Sequence, residues 1–236
     1  MLDFMRQDHS VRAMDITSPA NPEVHDFVQG SVNDASALSK ALEGVNAIII
    51  GHMASRGSYF SVEAPFDINV KGTAQIFETA LKRGIRRVVL ISSTAVVHRQ
   101  VKEGLPISRE SSYSPTSIYA LTKVLQENIA RYYHEEHGFE VACLRPTHII
   151  CEDSFTDKYG HQYDKATWQF IDPRDIARAA IAAIHLPKLG FEVFHLMTGP
   201  EAETFADVAH TRSILGWEPL HRFDALREKA ESTKAS

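Results

Sequence analysis

Short β-branched apolar runs alternate along the chain with longer amphipathic ones. This is the pattern of parallel strands separated by helices that cover both faces of a sheet. The runs predict strands at VRAMDI (11–16), FVQG (27–30), NAIIIG (46–51), RVVLISS (87–93), EVACLRP (140–146) and FEVFHLM (191–197). Several are apolar on both faces, as strands buried between two helical layers are. Between them, apolar positions at helical spacing predict helices over 35–44, 64–83, 116–136 and 173–185.

Boundary residues agree with these spans. Gly84 and Gly138 stand where a helix ends on a left-handed residue, and Lys82 and Arg83 complement the dipole of the helix they close. Asp172 reads as an N-cap followed by Pro173 at the first helical position, with Asp175 adding negative charge to the first turn. In the 116–136 helix, Ile118, Leu121, Leu125 and Ile129 form an apolar stripe, and Tyr119 and Lys123 lie at its edge. Residues 151–168 are polar, aromatic and irregular, which predicts a loop or lid after a strand.

Composition narrows the class. A chain of 236 residues with 44% hydrophobic positions suits one large domain, or one domain with a small lobe. The net charge is −5 and no basic tract of five residues occurs, so neither nucleic acid nor a membrane is expected as principal partner. The two cysteines, Cys143 and Cys151, have no disulfide or metal spacing, and no apolar run nears the roughly 20 residues that cross a bilayer. A cytoplasmic protein is expected. His134 and His137 form H-E-E-H at i and i+3, not the i and i+4 of a zinc site, and read as a polar helix end; no metal is expected.

The candidate chemistry lies on the 116–136 helix. Tyr119 and Lys123 are four residues apart, so the phenol and the ammonium project from one face and can act on one ligand. A phenol titrates near pH 10, and a cation beside it lowers that value toward neutrality, which suits acid/base work.

The ordered set of motifs is more specific. Asp15 closing a strand, NVKGT at 69–73, ISSTAVV at 91–97, YALTK at 119–123, LRPT at 144–147, FIDPRDIARA at 170–179 and SILGWEPL at 213–220 together resemble the extended short-chain dehydrogenase/reductase family of NAD-dependent epimerases, dehydratases and dehydrogenases. The resemblance implies an α/β fold with a Rossmann-like doubly wound parallel sheet, NAD as cofactor, and a homodimer formed through the helices at 64–83 and 116–136. It implies Thr94, Tyr119 and Lys123 as catalytic residues: Tyr119 exchanging a proton with a substrate hydroxyl, Lys123 binding the nicotinamide ribose, and Thr94 orienting the reacting oxygen.

Around the cofactor, Asp15 with Ile16 is expected at the adenosine ribose, where a carboxylate accepts from both hydroxyls and repels a 2′-phosphate. Ser31 and Val32 are expected against the adenine, Gly51, His52 and Met53 under the cofactor, Asn69 and Ser92 near the nicotinamide end, and Pro146 and Thr147 in the loop facing the nicotinamide amide. Ser31 departs from the family's usual aspartate.

The glycine-rich turn of such folds, G-x-x-G-x-x-G, is not in this chain, whose first glycine is Gly30. The opening MLDFMRQDHS resembles the second half of the family's first helix, so roughly 20 to 25 residues of the pattern, including its central first strand, are absent. Two readings stay open: Met1 is an internal methionine of a longer frame, or the chain is a truncated paralogue with a rearranged sheet. In the chain as given, the strands at 11–16 and 46–51 are expected to lack the partner between them.

Residues 1–150 are expected as the NAD-binding region and 151–236 as a small substrate-binding region with an interleaved final strand. Only some 25 residues separate LRPT from FIDPRD, too few to enclose a nucleoside diphosphate. The shape resembles the uronate dehydrogenase-like branch, where a hydroxyl matched by Ser55 and a cation in the lid hold the substrate; Lys158, His161 and Lys165 are the cations available. The expected function is therefore NAD-dependent oxidation or reduction of a small polyhydroxylated substrate such as a sugar or uronic acid. A nucleotide-sugar epimerase or dehydratase, and a non-catalytic binding module, remain as alternatives.

Overall fold

The computed structural model describes residues 9–19, 26–199 and 201–234. In chain order its strands are β1 (Ala13–Asp15), β2 (Phe27–Gln29), β3 (Ala47–Ile50), β4 (Arg87–Ile91), β5 (Glu140–Pro146), β6 (His148–Ile149), β7 (Phe170–Ile171) and β8 (Phe191–Leu196). The main sheet runs β3-β4-β5-β8, parallel throughout, with Leu90 opposite Cys143 and Arg145 opposite His195. β1 pairs in parallel with β2 alone, and β6 with β7 alone. No described strand joins β1 to β3.

Strand alternation sends neighbouring residues to opposite faces, and both faces are buried. Val88, Leu90, Val141 and Cys143 pack against helix α1 (Ala35–Ala41), helix α2 (Gly72–Lys82) and helix α3 (Ile118–His137). Val89, Ala142 and Leu144 pack on the other side against Ile176, Ala179, Ala180 and Ala183 of helix α4 (Pro173–His185). The chain is thus an α/β protein with the doubly wound layering its periodicity predicts.

The predicted termini recur in the helices. Gly84 and Gly138 adopt φ of 73° and 65°, and Asp172 caps α4 by accepting from Arg174 N with Pro173 next in line. Asp175 does more than charge the first turn: fully buried, it accepts from Leu220 N and His221 N at 3.0 Å each and so holds the carboxy-terminal segment onto α4. The expected helix at 64–83 is broken in geometry: Phe66–Lys71 is a π-helical turn that opens into α2. The 151–168 segment is less irregular than its composition suggests, since Thr156 bridges Cys151 and Gln162 in antiparallel fashion. Among the described residues no helix is long and apolar enough to cross a membrane, and no cluster of three metal-ligating side chains occurs.

Candidate active site at the carboxyl edge of the sheet

The carboxyl ends of β3, β4 and β5 and the start of α3 converge on one edge. Ser117 caps α3 by accepting from Ala120 N, which places Tyr119 in its first turn. The Tyr119 phenol lies near the Ser93 side chain. Burial pushes it above its ordinary value, the Ser93 hydroxyl pulls it down, and neighbouring Tyr59 and Tyr159 push it up; the net direction is upward. Lys123 is 3% exposed and gives its ammonium to the Ile91 carbonyl at 2.8 Å. The expected lowering of the phenol by Lys123 is therefore corrected: burial outweighs it, and the ammonium is turned to the strand end.

Beyond β4 the chain stays extended at Ser93, with φ −165° and ψ 147°, so side chains keep alternating. Ser92 and Thr94 are 3% and 6% exposed, and Ser93 and Thr94 both line the cleft. The Thr94 hydroxyl donates to the Arg145 carbonyl at 3.1 Å, and the Ser92 hydroxyl to Glu127 at 2.5 Å. Ser93, which the sequence did not single out, stands beside the Tyr119 phenol as well.

That network lies directly behind the site. Glu127, one turn beyond Lys123 on α3, receives Arg145 at 3.0 and 2.7 Å and Tyr113 OH at 2.9 Å. Burial raises the Glu127 carboxyl, but the Arg145 bonds outweigh it and hold it below the ordinary range. Glu127 also favours the charged form of Lys123, whose pKa burial nevertheless lowers to about 8.

Between that value and the unperturbed 10.5 the unfolded chain holds a proton the folded chain has lost, so stability rises with pH across this window. Urea unfolding at successive pH values should show that rise in the wild type and a smaller one in Lys123→Met. Equal slopes would remove Lys123 as its source.

Asn69 is fully buried in the π-helical turn, its Oδ1 accepting from Ala54 N at 2.7 Å and its Nδ2 donating to Tyr59 OH and Thr122 Oγ1 at 2.9 Å each. The amide thus ties this turn to the segment after β3 and to α3.

The remaining residues fall along the same edge. Asp15 and Ile16 are exposed at the end of β1, with the Thr17 amide and hydroxyl on Asp15 Oδ1 at 3.0 Å each. Ser31 Oγ accepts from Asn33 N at 3.2 Å, and Val32 packs so closely on Gly72 that a Cβ there would lie 2.4 Å from Val32 Cγ2. His52 Nε2 meets the Ile68 carbonyl at 3.0 Å, while its Nδ1 is buried without a partner; burial lowers its pKa to about 4. Gly51 is exposed, and Met53 Sδ receives the Lys158 ammonium at 3.6 Å.

Lys158 therefore reaches from the lid across to the end of β3, with Tyr159 beneath it at 5.1 Å. His161 is tied to Asp157 at 2.9 Å and Lys165 is exposed. Ser55 opens a short 3-10 turn, Arg56–Phe60, that carries Tyr59. Ser93, Thr94, Ala95, Thr147, His148 and Gln169 line an open cavity of about 260 Å³, and the Thr147 hydroxyl is bonded to the Gln169 carbonyl beside buried Pro146.

Residues 3–166 match the model of the NAD dependent epimerase/dehydratase family. The chain belongs to that family. A uronate dehydrogenase of Pseudomonas syringae pv. tomato is 30% identical over 194 residues, 79% of this chain and 65% of the relative's own length. An L-arabinose 1-dehydrogenase (NAD(P)(+)) of Haloferax volcanii is 24% identical over 236 residues, covering 92% of this chain and 90% of the relative.

Among solved structures, a short-chain dehydrogenase/reductase superfamily protein from Agrobacterium tumefaciens with bound NAD superposes at a TM-score of 0.82 and 20% identity, over 99% of this chain and 92% of that one. NAD is the cofactor of the epimerase/dehydratase family, and the residues present fit it at two ends. Asp15 offers an exposed carboxylate at the end of β1 for a ribose, and His52, just beyond β3, has a buried ring nitrogen without a partner.

Proposed function

We propose that the chain is an NAD-dependent oxidoreductase for a small polyhydroxylated substrate, with a uronic acid the favoured class. The observation that carries this is the Tyr119 phenol near Ser93, a residue lining the cavity, with the buried Lys123 ammonium one helical turn further along the same helix. NAD, when bound, supplies the acceptor for hydride. Tyr119 exchanges a proton with the substrate hydroxyl: as phenolate it would take that proton in the oxidation, and as the protonated phenol that burial favours it would return it in the reverse reduction, with Ser93 beside the reacting oxygen. Lys123 and Asp15 hold the two riboses.

Size supports a monosaccharide. The open cavity of about 260 Å³ beside Ser93 and Thr94 is large enough for a monosaccharide. Lys158, the lid cation that spans the cleft to Met53, supplies positive charge for a carboxylate, and Ser55 a hydroxyl on the opposite bank. A cytoplasmic homodimer belongs to the same reading.

The test is nicotinamide absorbance with the 236-residue chain, NAD and either D-glucuronate, D-galacturonate, L-arabinose or UDP-glucose. Uronates should be oxidised with the highest kcat/KM. Activity confined to UDP-glucose would overturn the assignment of substrate.

A further inference from the structure

The orientation of the Asn69 amide is decided by its partners. Ala54 N–H can only donate, so the atom 2.7 Å from it is Oδ1. Nδ2 then gives its two hydrogens to Tyr59 OH and to Thr122 Oγ1, each at 2.9 Å. Thr122 Oγ1 spends its own hydrogen on the Tyr119 carbonyl, also at 2.9 Å. The Tyr59 oxygen is thus an acceptor in this network, and its phenolic hydrogen is left to serve another group.

Where that hydrogen can go is limited by the ring. Tyr59 stands edge-on to Tyr119, with centroids 5.6 Å apart and planes at 80°. Burial raises its pKa, so it stays protonated across the neutral range. It is half-buried on the turn that follows β3, while the Asn69 that orients it is fully buried in a π-helical turn. Such turns recur at functional sites because they cost helix stability and reposition a side chain.

We propose that Tyr59 is a substrate-binding hydrogen-bond donor, its phenol oriented by Asn69 and directed at a hydroxyl or carboxylate oxygen of the ligand held against Tyr119. It rests on the oxidoreductase reading above and adds a specificity contact on the β3 side of the cleft. Two phenols then divide the work: Tyr119 exchanges a proton, and Tyr59 gives a fixed hydrogen bond. A site built this way favours ligands with an acceptor oxygen near the reacting carbon and rejects deoxy analogues, which leave the donor unpaired.

Tyr59→Phe keeps the ring against Tyr119 and removes only the donor. With D-glucuronate and NAD, KM should rise about tenfold, with the larger part of the loss on KM rather than kcat. The second measurement needs no turnover: with tyrosine isotope-labelled at Cζ, the Tyr59 resonance, identified by its absence from Tyr59→Phe, should shift on adding D-glucuronate in the presence of NAD. Turnover with an unmoved Tyr59 resonance and an unchanged KM in Tyr59→Phe overturns the Tyr59 assignment alone. A shifted resonance without turnover overturns the oxidoreductase reading alone. A resonance unmoved by D-glucuronate, L-arabinose and UDP-glucose overturns the Tyr59 assignment whatever the activity.

Discussion

Tyr119→Phe is expected to lower turnover of a uronate by about 10²- to 10⁴-fold, the usual worth of a positioned proton-transfer group. The variant retains the ring that packs edge-on with Tyr59 and loses only the phenolic oxygen. Folding and NADH binding should therefore survive, and the loss should fall on kcat. Steady-state kinetics beside a circular dichroism spectrum and an NADH fluorescence titration separate these quantities. A fall of less than about threefold would remove Tyr119 from the proton path.

Breaking the Glu127–Arg145 pair is expected to be the most destabilising change behind the site. Arg145 is 2% exposed and Glu127 fully buried, with two hydrogen bonds between them at 3.0 and 2.7 Å. Glu127→Leu leaves a guanidinium in the core without its counter-charge and strips partners from Ser92 and Tyr113. The cost should be about 3 to 5 kcal/mol, and Arg145→Met should cost a similar amount by orphaning the carboxylate. The double variant should lose far less than the sum, because a buried ion pair replaced whole by apolar groups is often neutral. A double-mutant cycle by urea unfolding reads this directly, and additive losses would refute the coupling.

The same network has a consequence for geometry. Glu127 holds Ser92, the Arg145 carbonyl holds Thr94, and Lys123 holds the Ile91 carbonyl. Residues 91 to 94 are thus pinned from behind on three sides, with Ser93 near Tyr119. Rigid support of this kind is what a proton-transfer site needs, since small displacements of the reacting groups cost rate steeply.

Much of the fold was legible before any coordinates. The strands at 140–146 and the helix at 173–185 fall where the periodicity puts them, because a fully buried strand and a capped amphipathic helix are each specified by adjacent residues. The gap between β1 and β3 was also legible, since the order of strands in such a sheet follows from the order of elements. The π-helical turn at Phe66–Lys71 was not, because its sequence has ordinary helical spacing and the widened turn is held by Asn69 reaching to Ala54 and Thr122.

For the site, adjacency along the chain was enough to pair Tyr119 with Lys123, because one helical turn brings residues four apart onto one face. It was not enough to say which hydroxyl they meet, what the ammonium faces, or which groups surround the phenol. Those depend on contacts between segments 51 to 105 residues apart, such as Thr94 with Arg145, Asn69 with Thr122 and Lys158 with Met53. Periodicity records which face of an element is buried. It does not record what another element places against that face, and burial there is what pushes the Tyr119 phenol up and the Lys123 ammonium down.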